Sequence, residues 1–368
     1  MTERCERNAG LLGAVVLPGR VPDPRPGLTQ AVTAERTGLG TVWLSERWGT
    51  KDLPSLAGAV AQPTSRIRVV GVADFQIRHP IGLASLGSTL QALTGGRFAL
   101  AFGRGAGAFP VGRGLGLPYP TSQRIIDHVA IVRRLWAGET VRYDGPAGSF
   151  PSMRMADIPD LAPPELLFAA IGPRSLRLAG AHFDGVVLHP MLTPEAVSRS
   201  AATVRDAAQK AGRDPAEVRV YASALIAPEL TPQDEDAVIG GRAVTYLQAP
   251  GYGELIARAN GWDPAPLQQL RTHPALAHLG RELADQEFLR HQLADVSRTL
   301  PPTWLKTTTV AGSAEACARF LHGYLDSGAD EIVINGTTPD LLQPTIQAFQ
   351  AAHSGDLRCP RKPHQHQT

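Results

Sequence analysis

The chain has 368 residues, 43% of them hydrophobic, and its 36 basic and 34 acidic side chains leave a net charge of only +2, which argues against a charged surface for nucleic acid. Its three cysteines (Cys5, Cys317 and Cys359) lie far apart, and no apolar run reaches the roughly 18–20 residues of a membrane helix. We therefore expect a cytoplasmic protein without a disulfide framework, a metal site, or contacts with membrane or nucleic acid.

Short apolar, β-branched segments alternate with helical patterns along the chain, which is typical of βαβ units with a parallel sheet. The first segment, residues 9–19, resembles a signal peptide, but Glu3, Glu6 and its end at Pro18-Gly19 favour a buried strand. The predicted strands are Leu11–Leu17, Val42–Leu44, Arg68–Val72, Phe98–Phe102, Leu166–Ala170, Asp184–Leu188, Val218–Leu225 and Glu331–Ile334. The predicted helices lie near 28–37, 54–62, 81–93, 121–137, 174–180, 194–211 and 339–351. Eight strands with intervening helices favour an α/β fold of the closed (β/α)₈ TIM-barrel type over an open doubly wound sheet.

Two segments do not fit this repeat. Residues 139–164, which contain YDGPAG, predict a hairpin or an extended loop. Residues 228–306 predict an insertion between the seventh and eighth strands, and its candidate helices are Ala243–Leu247 and Leu279–Leu293. Because long insertions in barrels decorate the catalytic mouth, we expect this one to form a lid or a substrate wall. Residues 1–352 would then form a single domain, followed by a disordered tail over 353–368.

A glycine-rich stretch, residues 95–116, includes the end of the fourth predicted strand and the loop after it. Its centre, Gly103-Arg104-Gly105-Ala106-Gly107-Ala108, formally matches GxGxx[GA], in which the glycines let the backbone approach a flat or anionic ligand. A Rossmann fingerprint opens the first βαβ unit, whereas three units precede this one and no helix begins promptly. A ligand-binding loop at the carboxyl end of a barrel strand is the better interpretation, and a dinucleotide loop and a merely flexible loop stay open as alternatives.

Polar residues follow the second predicted strand at once, namely Ser45, Glu46 and Arg47. In a barrel this position faces the active site, so Glu46 is a candidate for acid/base chemistry and Arg47 for anion binding. The alternative is a surface ion pair of little energetic value.

The third predicted strand contains Gly71 and leads to Arg78 and His79 at the start of a helix whose first turn holds Pro80. A glycine at a strand end can form a bulge or a strained peptide beside a ligand. Arg78 and His79 are either site residues or ordinary residues of a helix start.

The fifth predicted strand leads into a helix through Ile171, Gly172, Pro173, Arg174 and Ser175. The free N–H groups of that helix start would form an anion site, in which Pro173 removes one donor. Phosphate binding and ordinary helix capping both fit this pattern.

Taken together, these stretches resemble the bacterial luciferase-like superfamily, and within it the coenzyme F420-dependent oxidoreductases. The resemblance spans about residues 10–350, is weakest in the insertion, and rests on five motifs in the right order. They are AERTGLGTVWLSER (34–47), RVVGVADFQIRHP (68–80), LTGGRFALAFGRG (93–105), AAIGPRSLRLAGAHFDGVVL (169–188) and GSAEACARFLHGYLDSGADEIVI (312–334). It implies a TIM-type barrel that binds a flavin or deazaflavin at its carboxyl-terminal mouth, usually as a homodimer.

The resemblance also implies particular site residues. In the family a non-proline cis peptide on the third strand backs the cofactor ring, and the matching bond here is Gly71–Val72. The implied cofactor-binding residues are Ser45, Gly71, Val72, Ala73, Asp74, Gly103, Arg104, Gly105, Ile171, Gly172, Pro173 and Arg174. This chain departs from the sugar-phosphate and alcohol dehydrogenases of the group, because Glu46-Arg47, Lys51 and Ala106 stand where those enzymes carry Asp-His, Trp and Glu. Their substrates are therefore not carried over.

The resulting expectation is an F420-dependent oxidoreductase that passes a hydride between the deazaflavin and an unidentified small organic substrate. Glu46 is the expected proton donor or acceptor, Arg47 or Arg78 would orient an anionic or carbonyl group, and His79 is a second candidate for proton transfer. The nearest alternative is an FMN-dependent luciferase-like monooxygenase that uses reduced flavin and O₂. A barrel without catalytic activity and an NAD-dependent Rossmann dehydrogenase are the alternatives from other classes.

Overall fold

A computed structural model describes residues 10–17, 21–46, 49–280 and 282–355. Its strands are β1 (Leu12–Val15), β2 (Thr41–Ser45), β3 (Arg68–Ala73), β4 (Phe98–Phe102), β5 (Val141–Gly145), β6 (Gly148–Met153), β7 (Glu165–Ala170), β8 (Gly185–Leu188), β9 (Arg219–Pro228), β10 (Thr309–Gly312) and β11 (Glu331–Asn335). Within these residues, eight parallel strands follow one another in the order β1-β2-β3-β4-β7-β8-β9-β11, and pairing of β11 with β1 closes the ring. The predicted (β/α)₈ TIM barrel is confirmed.

Side chains of the barrel strands alternate between two buried layers. The interior layer consists of Val15, Trp43, Val70, Ala99, Ala101, Leu167, Tyr221 and Val333. Their neighbours along the strands, such as Val42, Leu44 and Leu100, belong to the larger core between barrel and helices. Because both faces are buried, the strands are apolar at almost every position, which is why they stand out in the sequence.

The helices surround the barrel and begin at the positions that capping residues indicate. They are α1 (Pro26–Thr37), α2 (Leu53–Ala61), α3 (Pro80–Leu93), α4 (Pro110–Gly114), α5 (Ser122–Trp136), α6 (Pro173–His182), α7 (Pro194–Lys210), α8 (Pro232–Glu235), α9 (Gly241–Leu247), α10 (Tyr252–Asn260), α11 (Ala265–Arg271), α12 (Ala284–Glu287), α13 (Arg290–Leu293), α14 (Pro302–Thr308), α15 (Ala314–Asp326) and α16 (Gln343–Gly355). The side chains of Asp52, Thr121, Thr193 and Ser313 accept hydrogen bonds from the first turns of α2, α5, α7 and α15. None of the helices in the described ranges is long and apolar enough to cross a membrane.

The two segments outside the repeat have distinct structures. Strands β5 and β6 form the predicted hairpin over residues 141–153. The insertion leaves the barrel at the end of β9 and returns as β10, which pairs in parallel with the last four residues of β9, from Thr309 opposite Leu225 to Gly312 opposite Pro228. Helix α9 confirms the expected helix over Ala243–Leu247, and the insertion packs around a core of its own that also includes Met191 and Leu225.

Two secondary-structure expectations were wrong. Leu279–Leu293 does not form one helix, because Gly280 adopts a φ of +57° after a 3₁₀ turn and the extended residues Phe288 and Leu289 separate α12 from α13. The expected disordered tail begins too early, since α16 continues to Gly355 with Phe349 anchored in the core. Residues 356–368 lie outside the described residues.

The expected cis peptide between Gly71 and Val72 is also absent. All peptide bonds of the described residues are trans. Gly71 pairs with Leu44 on one side and with Leu100 on the other, and Val72 pairs with Ser45 and Ala101. Strand β3 therefore continues in regular register through this bond, without the bulge that was predicted.

Candidate active site

A cavity of about 600 Å³ opens at the carboxyl-terminal end of the barrel, where the active sites of TIM barrels lie. One side of it is formed by the loops after β2, β3, β4 and β7. The other side is formed by the end of β8, by Ser223 of β9, and by the insertion segment Ala249–Tyr252 with Leu255 and Leu283. Its walls are mostly apolar, which suits a large flat ligand with a few polar groups.

Many of the residues predicted for the site meet in this cavity. Those that line it are Glu46, Val72, Ala73, Asp74, Gly103, Arg104, Gly105, Ile171 and Gly172. They come from four different strand ends, so the barrel brings together segments that are more than one hundred residues apart.

The remaining predicted residues lie elsewhere. Ser45 is exposed at the end of β2, and Pro173 and Arg174 are exposed on the first turn of α6. A Cβ atom added to Gly71 would point toward Phe98 and Leu53 in the helix layer, away from the cavity. Arg47 lies outside the described residues.

His79 is placed as a helix cap and not as a cavity residue. Its Nδ1 accepts a hydrogen bond from the backbone N–H of Ile81 at 3.3 Å, and its ring packs edge-on against Phe150 at 4.9 Å. It therefore stabilises the start of α3, which was the alternative that the sequence left open.

Glu46 lines the cavity, but both of its carboxylate oxygens are already engaged. Oε2 accepts a hydrogen bond from the backbone N–H of Asp74 at 2.8 Å, and Oε1 is ion-paired with Arg78. Arg78 also bonds Asp52 at 3.1 Å, and its hydrogen bond to Glu46 raises the pKa of the guanidinium. This network ties the ends of β2 and β3 to the start of α2, so Glu46 and Arg78 stabilise the rim of the cavity and have their charges matched within the chain.

The glycines of the loop after β4 have two different roles. Gly105 adopts a φ of +73°, and an added Cβ would lie 2.3 Å from Oδ1 of Asp74, so only glycine fits the packing there. At Gly103, by contrast, the nearest atoms to an added Cβ are 3.9 Å away. A side chain at Gly103 would therefore occupy space in the cavity instead of colliding with the protein.

Arg104 and the start of α6 together bring positive charge to one side of the cavity. The guanidinium donates to Oγ of Ser175 at 3.2 Å, to the carbonyl of Pro120 at 3.0 Å and to Oγ of Ser122 at 3.3 Å, all neutral oxygens. No carboxylate of the described part of the chain pairs with it. Helix α6 begins after Gly172 without a side-chain cap, so its first N–H groups and partial positive charge face the same region.

The opposite wall contains His189, which sequence analysis missed. It follows β8 directly, its Nδ1 contacts the carbonyl of Pro190, and its ring packs edge-on against Tyr246 at 4.5 Å and Tyr252 at 5.1 Å. Burial lowers the pKa of His189 to about 3, and the charge of Arg242 acts in the same direction. Its signal was present in the sequence, because it is the first polar residue after the predicted strand Asp184–Leu188, as Ser45 and Glu46 are after Val42–Leu44.

Aromatic residues close the cavity on its outer side. Phe109, which follows the glycine-rich loop, packs edge-on against Tyr252 of the insertion with ring centres 5.4 Å apart. Tyr119 lines the same region and is 65% exposed. Sequence patterns did not mark these residues, since an aromatic residue in a loop is equally compatible with a surface position.

These features define the class of protein, which is a (β/α)₈ barrel with a cavity at its carboxyl-terminal mouth. The sequence profile of the family described as luciferase-like monooxygenase matches residues 7–331, so the chain belongs to this family and is an oxidoreductase of the luciferase-like type.

Individual relatives agree with this assignment. The chain is 29% identical over 314 residues to a 5,10-methylenetetrahydromethanopterin reductase of Methanolobus tindarius, covering 82% of this chain and 87% of that protein. Among solved structures it is similar to a coenzyme F420-dependent tetrahydromethanopterin reductase from Methanopyrus kandleri, with a TM-score of 0.75, 18% identity and coverage of 93% and 99%. It is also similar to the EDTA monooxygenase of Chelativorans sp. BNC1, with a TM-score of 0.66, 18% identity and coverage of 96% and 95%. At these identities the two structures support the fold alone.

Proposed function

We propose that this protein is an F420-dependent oxidoreductase that transfers a hydride between the deazaflavin and a small organic substrate in the cavity. The observation that carries the proposal is Arg104, a cation surrounded by neutral oxygens, beside the uncapped start of α6 and next to an apolar cavity. This combination fits a flat aromatic ring with an anionic tail. The choice of a deazaflavin is supported by the similarity to the coenzyme F420-dependent tetrahydromethanopterin reductase and to the 5,10-methylenetetrahydromethanopterin reductase.

The residues present fit such a cofactor. Gly103 leaves space where any side chain would project into the cavity, and a Cβ on Gly172 would come within 3.6 Å only of Leu255, a side chain of the opposite wall. Arg104 and the N–H groups of α6 would hold a phosphate, and Val72, Ala73 and Ala169 offer apolar surface for a ring. Ser45, Pro173 and Arg174 would then lie outside direct contact.

The bound deazaflavin supplies the hydride donor or acceptor, so the chain has to position the reactants and exclude water. The apolar walls exclude water from the cavity, and the contact of Phe109 with Tyr252 closes the outer side. The ion pair of Glu46 with Arg78 fixes the ends of β2 and β3, which form one wall. In this proposal, catalysis comes from the placement of the reactants. The carboxylate of Glu46, the expected acid/base group, is engaged by Asp74 and Arg78.

An FMN-dependent monooxygenase is the second candidate. FMN has the same combination of a flat ring and a phosphate, so Arg104 and α6 suit it as well. The similarity to the EDTA monooxygenase, which extends over almost the whole chain, favours this alternative.

Titration of the purified protein with F420, FMN and NADPH tests the assignment. We expect F420 to bind at micromolar or lower concentration, as measured by its fluorescence, and NADPH not to compete with it. The Arg104→Gln variant should bind F420 more weakly while keeping its circular dichroism spectrum. Tight FMN binding without F420 binding would replace the first candidate with the second.

We further propose that residues 1–352 act as a single domain, in a cytoplasmic homodimer. The single domain is supported by the cavity, because residues of the insertion and of the barrel line it together. Size-exclusion chromatography with light scattering measures the assembly, and a mass of one chain, 39.2 kDa, would contradict the dimer.

A further inference from the structure

The part of the cavity formed by β8 and β9, across the barrel from β2 and β3, contains a polar pair that the proposed function does not use. Leu188 pairs with Ala222, so the next residues, His189 directly after β8 and Ser223 of β9, lie side by side. Both line the cavity. Their surroundings are otherwise apolar or aromatic, with Leu188, Pro190 and Tyr252 as neighbours in the lining.

The hydrogen-bonding state of His189 follows from its contact with Pro190. A carbonyl oxygen can only accept, so Nδ1 of His189 must carry the hydrogen and donate it to the carbonyl of Pro190. In a neutral imidazole the other nitrogen, Nε2, is then an acceptor with an available lone pair. Nε2 is buried and has no hydrogen-bond partner among the residues that the structure describes. A buried acceptor without a partner is rare in proteins and calls for a ligand or another explanation.

The side chain of Ser223 is the complement of this acceptor. Oγ of Ser223 forms no hydrogen bond with any other described residue. The hydroxyl can therefore donate to a ligand as well as accept from it. A hydroxyl group of a ligand that lies against this wall can donate to Nε2 of His189 and accept from Oγ of Ser223. An ether oxygen or a carbonyl oxygen can only accept, and a carboxylate would face the lone pair of Nε2.

We propose that His189 and Ser223 form the specificity site for the substrate, and that they select an otherwise apolar molecule with a hydroxyl group. This inference rests on the proposed function, because it assigns the ends of β8 and β9 to the substrate. His189 acts in it as a positioning residue and an acceptor.

The surroundings of His189 keep it in this state over the physiological pH range. Its pKa is lowered to about 3 by burial, and the groups packed against it are the rings of Tyr246 and Tyr252, with the charge of Arg242 nearby. The imidazole therefore stays neutral from about pH 5 upward, and Nε2 stays an acceptor. A neutral imidazole with this pKa orients a hydroxyl group but does not take up its proton.

The state of the ring can be measured without any ligand. In protein labelled with ¹⁵N-histidine, the signal that disappears in His189→Phe belongs to His189, and its two nitrogen shifts report the tautomer. We expect a neutral ring with hydrogen on Nδ1, unchanged between pH 5 and pH 8. Hydrogen on Nε2, or a ring that titrates near pH 6.5, would overturn the proposal.

The selectivity is tested with pairs of small probes that differ only in the donor. Ligand-observed NMR titrations in the presence of saturating F420 compare 1-indanol with 1-methoxyindane and benzyl alcohol with benzyl methyl ether. We expect each alcohol to bind roughly tenfold more tightly than its ether. Equal binding of alcohol and ether, or no binding of either up to the solubility limit, would overturn the proposal.

Two variants separate the acceptor from the shape of the ring. His189→Phe keeps an aromatic ring between Tyr246 and Tyr252 but has no acceptor, and it should abolish the preference for alcohols. His189→Gln, whose amide oxygen accepts hydrogen bonds, should restore part of it. A preference that survives in His189→Phe would show that His189 is not the selecting group.

The same experiments distinguish this proposal from the proposed function. F420 binding is measured separately in the wild-type protein and in His189→Phe, and the alcohol preference of each is compared at its own saturating F420 concentration, because His189 and Ile171 follow paired residues of β8 and β7. If F420 fails to bind and FMN binds, the cofactor assignment fails, and the probe titrations are then run with FMN, where the alcohol preference still decides the role of His189.

Discussion

The polar groups at the two ends of the barrel differ in their hydrogen-bond and ion-pair partners. At the amino-terminal end, Glu331 accepts a hydrogen bond from Thr41 and lies 3.4 Å from Arg219, while Arg68 is paired with Glu165 at 2.6 Å. Each of these five residues is the first residue of its strand. At the carboxyl-terminal end, the cation of Arg104 contacts neutral oxygens, and Nε2 of His189 has no hydrogen-bond partner in the described ranges.

The difference separates stability from function. The polar groups at the amino-terminal end contact one another inside the protein, so they connect neighbouring strands of the barrel and leave nothing for a ligand. The polar groups at the carboxyl-terminal end keep unused hydrogen-bonding capacity beside a cavity, at a cost in folding free energy that a ligand can recover. Glu46 and Arg78 show that the division is not strict, because they lie at the carboxyl-terminal rim and are nevertheless paired.

The largest effect is expected at the amino-terminal end, from Glu331. Burial raises the pKa of Glu331 to about 7, above its value of about 4.5 in the unfolded chain. The unfolded state therefore loses this proton first as the pH rises, so the stability from this group is complete below pH 4.5 and is lost as the pH rises through 7. We expect the free energy of unfolding of the wild type to fall by about 3 kcal/mol relative to Glu331→Gln between pH 4.5 and pH 8.

Urea denaturation of both proteins at several pH values measures this difference. The subtraction is needed because burial also lowers the pKa of His128, which adds its own pH dependence to the stability of both proteins. A difference that is independent of pH would mean that Glu331 is ionised in the folded protein throughout.

At the carboxyl-terminal end, the substitution Arg104→Gln should weaken cofactor binding roughly 100-fold, since it removes a charge-assisted contact with an anion. The matched control is Arg174→Gln at the second residue of α6, where the side chain is exposed and its charge is screened by solvent. It should change the dissociation constant less than threefold. An equal effect of the two substitutions would support the sequence-based assignment of Arg174 to the site.

The glycines of the loop after β4 allow the comparison to be made within three residues. Gly105→Ala should destabilise the fold by about 1–3 kcal/mol, because its φ is positive and the new Cβ meets Asp74. Gly103→Ala should leave the unfolding temperature almost unchanged and weaken cofactor binding, because its Cβ enters the cavity. Thermal unfolding and F420 titration of both variants provide the two readouts, and a reversed pattern would contradict the role assigned to Gly103.

The smallest effect is expected from His79→Ala. Loss of the cap on α3 should lower stability by about 1 kcal/mol, and binding of the cofactor should stay within twofold of the wild type. If turnover of an identified substrate fell more than tenfold at unchanged stability, His79 would have the catalytic role that the sequence first indicated.

Much of the fold could be predicted because the barrel strands are buried on both faces and their apolar runs are therefore almost continuous. The end of each strand could be located within a few residues, and with it the side of the cavity built by Glu46, Gly103 and Gly172. Ion pairs between side chains were harder to predict. Arg78 and Glu46 are 32 residues apart, and only the folded chain shows that Arg78 neutralises Glu46.

The other side of the cavity was missed for a different physical reason. It depends on the insertion, where short helical turns are fixed by contacts with each other and not by a regular apolar period, as the failed helix over Leu279–Leu293 shows. His189 could have been predicted in the same way as Glu46, as a polar residue that directly follows a predicted strand. A single histidine before a proline, however, is also typical of an ordinary strand end.

The pairing of β10 with the final residues of β9 has a consequence for how this enzyme can diversify. The polypeptide leaves β9 at Pro228 and returns as β10 at Thr309, opposite Leu225, so the whole insertion is attached to the last four residues of β9. Exchanging that insertion for one of another size alters the loop-closure entropy only slowly. The part of the cavity that the insertion forms can thus be rebuilt by replacing this segment, while the part formed by the loops after β2, β3, β4 and β7 stays as it is.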